Sequence, residues 1–135
     1  MKFLIGLTFA VALSNCSPKL APDAGWGGRQ QWTVVEMKGV PVQQSGGRRD
    51  AHIVFEVVDR TFRGNGGCNQ ISGNYNLDKK EIHFTDIVAT KMSCDDINFE
   101  NVFLNELGRV DRYEVNGDEL RLKRRQETLI VLKSK

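Results

Sequence analysis

Residues 113–122, Tyr-Glu-Val-Asn-Gly-Asp-Glu-Leu-Arg-Leu, have the sequence pattern of a β-hairpin. Apolar and polar residues alternate on both sides of Asn116-Gly117, as they do in strands with one buried face. Asn-Gly readily accepts the two consecutive positive φ angles that a tight hairpin turn requires. The stretch therefore predicts two antiparallel strands joined at this dipeptide. A turn at residues 124–126 then leads into a last strand over residues 128–132.

The same alternation recurs nearer the N-terminus. Ile53, Phe55 and Val57 share one face of a predicted strand over residues 52–58, and Asp59-Arg60 is short enough to form the hairpin turn that follows it. The remaining pattern predicts a strand over 32–37, a solvated loop over 41–50, a strand over 61–64 and two strands around a turn at 78–80.

One segment has helical spacing instead. Its apolar residues are Phe99, Val102, Phe103, Leu107 and Val110. Asp95 or Asp96 is suited to cap the start of this helix, and Gly108 is suited to end it. Antiparallel hairpins with one helix predict an α+β domain, either a small antiparallel sheet or a partly closed barrel, in which the helix covers one face or plugs one end.

The composition is that of one globular domain. The chain has 135 residues, a formal net charge of +2 and 40% hydrophobic residues. A charge this small does not indicate a polyanionic partner, and no apolar run reaches the roughly 20 residues that a membrane-spanning helix needs.

The N-terminus has the features of an export signal. Lys2 precedes a mostly apolar run over residues 3–13, which is of signal-peptide length. The run ends in Leu13-Ser14-Asn15-Cys16, which resembles the bacterial lipobox, although Asn15 replaces the usual Gly or Ala. We therefore expect residues 1–15 to be a lipoprotein signal peptide and Cys16 to be lipidated, and an ordinary secretory signal followed by an unmodified cysteine is the alternative.

These features predict a chain anchored to a membrane by acyl chains, since two or more chains on one residue anchor firmly. Similarity to lipoproteins of two-membraned bacteria, together with Ser17 after the cysteine, implies an outer-membrane protein facing the periplasm. Residues 16–29 contain prolines and glycines and are expected to be a flexible tether. The folded domain is then expected to occupy residues 30–135.

A series of short motifs runs in order through this predicted domain. The residues that carry it include Trp32, Gly64, Gly67, Asn69, Gly73, Tyr75, Thr90 and Met92. The series resembles the META domain, in the form found in HslJ-like heat-shock lipoproteins. The resemblance implies a small α+β envelope domain linked to heat shock, stress response or antibiotic tolerance, with no established reaction, no cofactor and no catalytic residues to transfer.

Two cysteines remain inside the domain. An exported protein lies in an oxidising compartment, where an even pair of cysteines most often forms a bridge. We therefore predict a disulfide between Cys68 and Cys94, and two reduced cysteines packed near each other are the alternative.

Other chemical interpretations of the chain are weaker. Residues 64–67 are glycine-rich, but no Gly-Lys-Ser/Thr follows, so backbone geometry explains them better than phosphate binding. A metal site would have to use His52 or His83 with Cys68 and Cys94, whose spacings fit no common metal motif. His83 alternates with apolar neighbours and is expected on the polar face of its strand. We therefore expect no metal.

Three functional hypotheses follow. The first is a non-enzymatic binding or structural role toward another envelope component, exerted by a monomer. The second is a small-ligand or enzymatic site at the Gly67-Cys68-Asn69 turn beside Thr90, which a deep polar pocket would favour. The third is binding to anionic lipid or lipopolysaccharide through a basic cluster near the C-terminus. That cluster comprises Arg109, Arg112, Arg121, Lys123, Arg124 and Arg125. Export makes a nucleic-acid partner unexpected.

Overall fold

The computed structural model describes residues 25–28, 30–45, 50–95 and 97–135. These residues form nine strands and one helix. Their bounds are β1 Gln31–Met37, β2 Val40–Pro41, β3 His52–Glu56, β4 Thr61–Asn65, β5 Gln70–Asp78, β6 Glu81–Ala89, α1 Ile97–Arg109, β7 Arg112–Asn116, β8 Glu119–Arg124 and β9 Glu127–Ser134. The predicted α+β class, with antiparallel hairpins and one helix, is confirmed.

The sheet forms a ring. Each strand pairs with its neighbour in the order β2-β1-β3-β4-β5-β6-β7-β8-β9, and β1 also pairs with β9, where Val34 lies opposite Leu132. Among the described strands, β6 and β7 share the shortest pairing, which consists of the single residue pair Glu81 and Arg112. The structure is therefore a partly closed barrel.

Large apolar side chains fill the interior of the ring. Those that are fully buried include Trp32, Ile53, Phe55, Phe62, Tyr75, Ile82, Phe103, Leu107, Leu120, Leu122, Leu129 and Ile130. Phe103 and Leu107 belong to α1, which connects the end of β6 to β7. The helix lies across one end of the barrel, because Glu100 in its first turn contacts the β4–β5 turn and Glu106 in its last turns pairs with Lys38 after β1 (3.7 Å).

Trp26 closes the opposite end, where β1 begins. Its carbonyl accepts a hydrogen bond from Trp32 Nε1 (2.8 Å), and its ring lies 5.0 Å from that of Phe55 and 5.1 Å from that of Tyr113. The sequence predicted a tether over residues 16–29 and a folded domain beginning near Gln30. Trp26 lies in the predicted tether. Because Trp26 is buried in the core, the packed domain includes this residue as well.

The predicted signal peptide, residues 1–15, and the predicted lipidation site Cys16 lie outside the described residues. No helix in the part of the chain that the structure describes is long and apolar enough to cross a membrane.

Two local predictions need correction. The strand predicted over residues 52–58 ends at Glu56, because the chain turns over Val57–Arg60, with Arg60 at a φ of 55°, and leaves Val58 95% exposed. Gly108 does not end the helix, which includes Arg109. The final turn tightens instead, since the Val110 N–H donates to the Leu107 carbonyl (3.4 Å).

Candidate functional site

The sequence motifs converge at the end of the barrel that α1 covers. The β4–β5 turn (residues 66–69), the segment between β6 and α1 (residues 90–95) and the first turn of α1 meet there. We call the hydrogen-bonded group formed by Asn69, Thr90 and Glu100 with the main chain around them the Asn69 network. It joins two of the motif positions predicted from sequence, Asn69 and Thr90, and the main chain of a third, Met92. A fourth, Gly67, lies in the same turn, where its N–H donates to Asn65 Oδ1.

Glu100 accepts three hydrogen bonds in this network. One carboxylate oxygen, Oε2, accepts from the main-chain N–H groups of Cys68 (3.0 Å) and Asn69 (2.6 Å). The other, Oε1, accepts from Asn69 Nδ2 (2.7 Å). The glutamate is 2% exposed, so its charge is held inside the protein by oriented N–H donors.

Asn69 extends the network to the segment before α1. Its Oδ1 accepts hydrogen bonds from the Met92 main-chain N–H (2.6 Å) and the Thr90 hydroxyl (3.1 Å). The Thr90 oxygen in turn accepts from the Gln70 N–H (3.1 Å). The amide can therefore have only one orientation, with its oxygen toward Met92 and its nitrogen toward Glu100.

These contacts set the ionisation of Glu100. Burial raises the pKa of its carboxyl group. The hydrogen bonds from the Asn69 side chain and from the main-chain N–H groups of Asn69 and Cys68, together with the positive charge of Lys91, oppose burial and leave the pKa below the ordinary glutamate value. The group is therefore anionic at neutral pH and serves as an acceptor.

The predicted disulfide between Cys68 and Cys94 is confirmed, with their Cα atoms 6.0 Å apart. The alternative of two reduced cysteines is wrong for this structure. The bridge joins the β4–β5 turn to the segment that leads into α1. It thus connects the same two segments as the Asn69 network and reinforces it.

The glycines of the motif allow close approach. A Cβ at Gly66 would lie 2.7 Å from the Glu100 carboxylate, and one at Gly64 would lie 1.9 Å from the His52 carbonyl oxygen on the neighbouring strand. Gly73 is equally confined, because its Cβ would meet the Phe62 ring at 2.7 Å. Gly67 has a φ of 109°, which side chains other than glycine rarely adopt.

The glycine-rich turn does not present its N–H groups to a ligand. The Gly66 N–H donates to the Asn69 carbonyl (2.9 Å) and the Gly67 N–H to Asn65 Oδ1 (2.7 Å), while those of Cys68 and Asn69 bind Glu100. A phosphate site needs such groups to point outward. The geometry therefore favours the structural explanation of residues 64–67.

The remaining motif residues divide between core and surface. Trp32 and Tyr75 are fully buried. Met92 is different, because its N–H is bound by Asn69 while its side chain is 59% exposed.

The other candidate residues are dispersed. His52 Nδ1 lies 2.8 Å from the Asp50 carbonyl, and His83 is exposed on β6, as its alternation predicted. Among the described residues, no group of three or more His, Cys, Asp or Glu is placed to hold a metal ion.

Glutamates compensate half of the basic cluster near the C-terminus. Arg109 pairs with Glu106 (2.8 Å), Arg121 with Glu119 (2.6 Å) and Lys123 with Glu114 (2.9 Å). These pairs lower the net positive charge that the six residues can offer to an anionic surface.

A wide, open groove of about 1030 Å³ runs over the outer face of the barrel beside Thr90. Its lining includes Gln31, His52, Arg63, Asn65, Gln70 and Ser72. Glu100 is not part of this lining. Thr90 is thus the one member of the Asn69 network that lines the groove, and the buried carboxylate does not open onto it.

Glu100 belongs to the series of motifs that resembles the META domain, in the pattern Glu100-x-x-Phe103, but the sequence did not predict it as a site residue. The available signal was its position at helical spacing from Phe103 and Leu107, which places a carboxylate on the buried face of α1. A buried carboxylate requires donors, and the β4–β5 turn supplies them.

Comparisons with known proteins agree with the fold. The family model of the META domain matches residues 28–135. No curated protein matches the chain. An NMR structure of a protein from Burkholderia xenovorans is 17% identical, with a TM-score of 0.67, and the match covers 93% of this chain and 99% of that one. A second NMR structure of a protein is 19% identical, with a TM-score of 0.63, over 81% and 92% of the two chains. A crystal structure of a DUF4847 family protein from Bacteroides vulgatus is 20% identical, with a TM-score of 0.60, over 81% and 94%.

Proposed function

Since the chain belongs to the META domain family, we propose that it is a bacterial envelope lipoprotein that contributes to stress or antibiotic tolerance by binding or bracing another envelope component, without catalysing a reaction. The observation that carries this proposal is that the hydrogen-bonding groups in and around the Asn69 network have their partners inside the protein. All four N–H groups of the β4–β5 turn donate to protein acceptors, and both cysteines are joined to each other. Polar groups whose partners are all internal stabilise the fold and are not available to bind a substrate.

The anchor is supported by the sequence of the first sixteen residues, in which a charge, an apolar run and Cys16 follow in the order of a lipoprotein signal. Binding to anionic lipid through the basic cluster receives less support, because glutamates pair with Arg109, Arg121 and Lys123.

The anchor is tested by Cys16→Ser, with Ser17→Ala as the matched control. We expect the wild type and the control to sediment with membranes and to yield an acylated N-terminal peptide beginning at Cys16. The Cys16→Ser variant is expected to be soluble or unprocessed. Membrane fractionation of the wild type without any acyl adduct by mass spectrometry would refute lipidation.

The binding role is tested by crosslinking in the native envelope followed by mass spectrometry. We expect one recurrent envelope component to be captured. Catalytic turnover of a small molecule by the purified protein would contradict a purely binding role.

A further inference from the structure

The N-terminal segment joins the barrel at the end opposite to α1. The chain enters at Gly25 and Trp26, next to the start of β1. Because β3 is antiparallel to β1, the end of β3 lies beside this entry, where Val54 pairs with Gln31. The disulfide and α1 lie at the other end of the strands. The long strand β5 (Gln70–Asp78) connects the two ends, and at about 3.3 Å per residue it separates them by roughly 25–30 Å.

Two hairpin turns surround the entry point. The β3–β4 turn (Val57–Arg60) follows directly after Glu56, next to Phe55, whose ring lies 5.0 Å from that of Trp26. The β5–β6 turn contains Lys79 and Lys80. The Lys79 carbonyl accepts the Tyr113 hydroxyl (2.9 Å), and the Tyr113 ring is 5.1 Å from that of Trp26. The Phe55 ring therefore connects the first turn to Trp26, and the Tyr113 ring connects the second. We call this surface the entry face.

Val58 is the most exposed large apolar residue described, at 95%, and it lies at the tip of the β3–β4 turn. The entry face also carries Lys79 and Lys80, both exposed, and Arg60, whose guanidinium lies 5.7 Å from the centre of the Tyr75 ring. Its exposed carboxylates are those of Asp59, Asp78 and Glu81. An apolar side chain this exposed, on the same face as two exposed lysines, suits the boundary between lipid headgroups and acyl chains, where a lysine extends its charge toward water.

Resting on the lipid anchor of the proposed function, we infer that the entry face sits on the phospholipid surface, with Val58 at the level of the headgroups. From Cys16 to Gly25 the chain can reach at most about 30 Å at ~3.5 Å per residue. Such a short connection keeps the entry face at a high effective concentration over the bilayer, so a weak contact through one apolar side chain suffices to orient the domain. The end with α1 then faces away from the membrane.

The orientation is tested with the full-length acylated protein in vesicles of phosphatidylethanolamine and phosphatidylglycerol that carry a headgroup-level quencher. A fluorophore is attached through Val58→Cys, or through Val102→Cys on the outer side of α1, where Val102 is 41% exposed. Because the native cysteines are acylated or bonded to each other, thiol labelling is specific, and circular dichroism verifies that both variants are folded.

We expect several-fold stronger quenching at position 58 than at position 102. Equal quenching at the two positions, or stronger quenching at 102, would overturn the orientation while leaving the anchor intact. Acylated protein that fails to associate with the vesicles, or protein that carries no acyl group, would overturn the proposed function together with this inference.

Discussion

Replacement of Glu100 by glutamine measures how strongly the Asn69 network depends on a carboxylate. Glutamine has the same shape but only one acceptor oxygen. If that oxygen keeps the two main-chain N–H groups, the new amide nitrogen faces Asn69 Nδ2 across the 2.7 Å that now separates acceptor and donor. Asn69 cannot turn its amide around, because its Oδ1 accepts from the Met92 N–H (2.6 Å) and the Thr90 hydroxyl (3.1 Å).

The cost of Glu100→Gln follows from these contacts. A buried donor left without an acceptor costs about 1–3 kcal/mol. The two remaining hydrogen bonds also lose the charge of their acceptor, and hydrogen bonds to charged groups are roughly twice as strong as neutral ones. We therefore expect a loss of about 2–4 kcal/mol in the free energy of unfolding, which is a large share of the 5–15 kcal/mol typical of a domain.

A second substitution should restore the pairing. With Asn69→Asp in the same chain, the glutamine nitrogen introduced by Glu100→Gln can donate to one aspartate oxygen, and the other oxygen still accepts from Met92 and Thr90. Alone, Asn69→Asp places two carboxylates against each other in a buried site, and it should be the least stable of the three variants at neutral pH. The double variant should be more stable than either single variant, with a coupling of at least about 2 kcal/mol.

Urea unfolding followed by circular dichroism, with the disulfide intact, gives the four free energies. Asn76→Asp on the exposed face of β5 is the matched control, and its effect should add to that of Glu100→Gln without coupling. A double variant no more stable than the sum of the single effects predicts would refute the assigned direction of the Asn69 amide.

Three further predictions concern the same end of the barrel and its strands. The pKa of Glu100 is lowered in the folded state, so its contribution to the free energy of unfolding is complete above about pH 4.3 and is lost as the pH falls through the folded value. The difference in unfolding free energy between wild type and Glu100→Gln should therefore narrow in urea titrations at acid pH. A difference that does not change with pH would contradict this. Reduction of the Cys68–Cys94 bridge, whose cysteines are 26 residues apart, should cost about 3.5 kcal/mol and lower the melting temperature in calorimetry by roughly 10–20 °C. An unchanged melting temperature would show that the Asn69 network alone holds these segments. Gly64→Ala should destabilise by at least about 2 kcal/mol, since its Cβ would lie 1.9 Å from a carbonyl oxygen of the next strand. Gly108→Ala, whose Cβ meets no heavy atom of the described residues within 4 Å, should stabilise the helix by about 0.5–1 kcal/mol in the same thermal assay, and equal effects of the two glycine variants would contradict the steric explanation.

The local parts of the fold could be predicted because local residues determine them. The Asn116-Gly117 hairpin is present, with Tyr113 opposite Leu122 and Asn116 opposite Glu119. The helix is present because Phe103 and Leu107 recur at helical spacing and pack into the core. Period and turn chemistry act over a few residues, so one sequence contains enough information to place them.

Contacts between distant segments could not be predicted in this way. The pairing of β1 with β9 joins the two ends of the domain, as Trp32 and Ser134 show, and no local pattern encodes which strand closes a ring. Trp26 lies among glycines that resemble a linker, and it is buried because its ring packs against those of Phe55 and Tyr113, which are distant in sequence. Glu100 has the same character, because its role depends on donors from a turn that lies distant in sequence.

The location of the motif limits what it can reveal about function. Gly67, Asn69 and Thr90 identify the family, and their polar and backbone groups bond to other parts of the same protein. A side chain whose partners are internal cannot also select an external ligand without breaking those contacts. Under the proposed binding role, recognition would depend on side chains outside the network, such as the exposed Met92 side chain or Val58 on the entry face. Members of one family can then share this architecture while their exposed residues, and so their partners, differ.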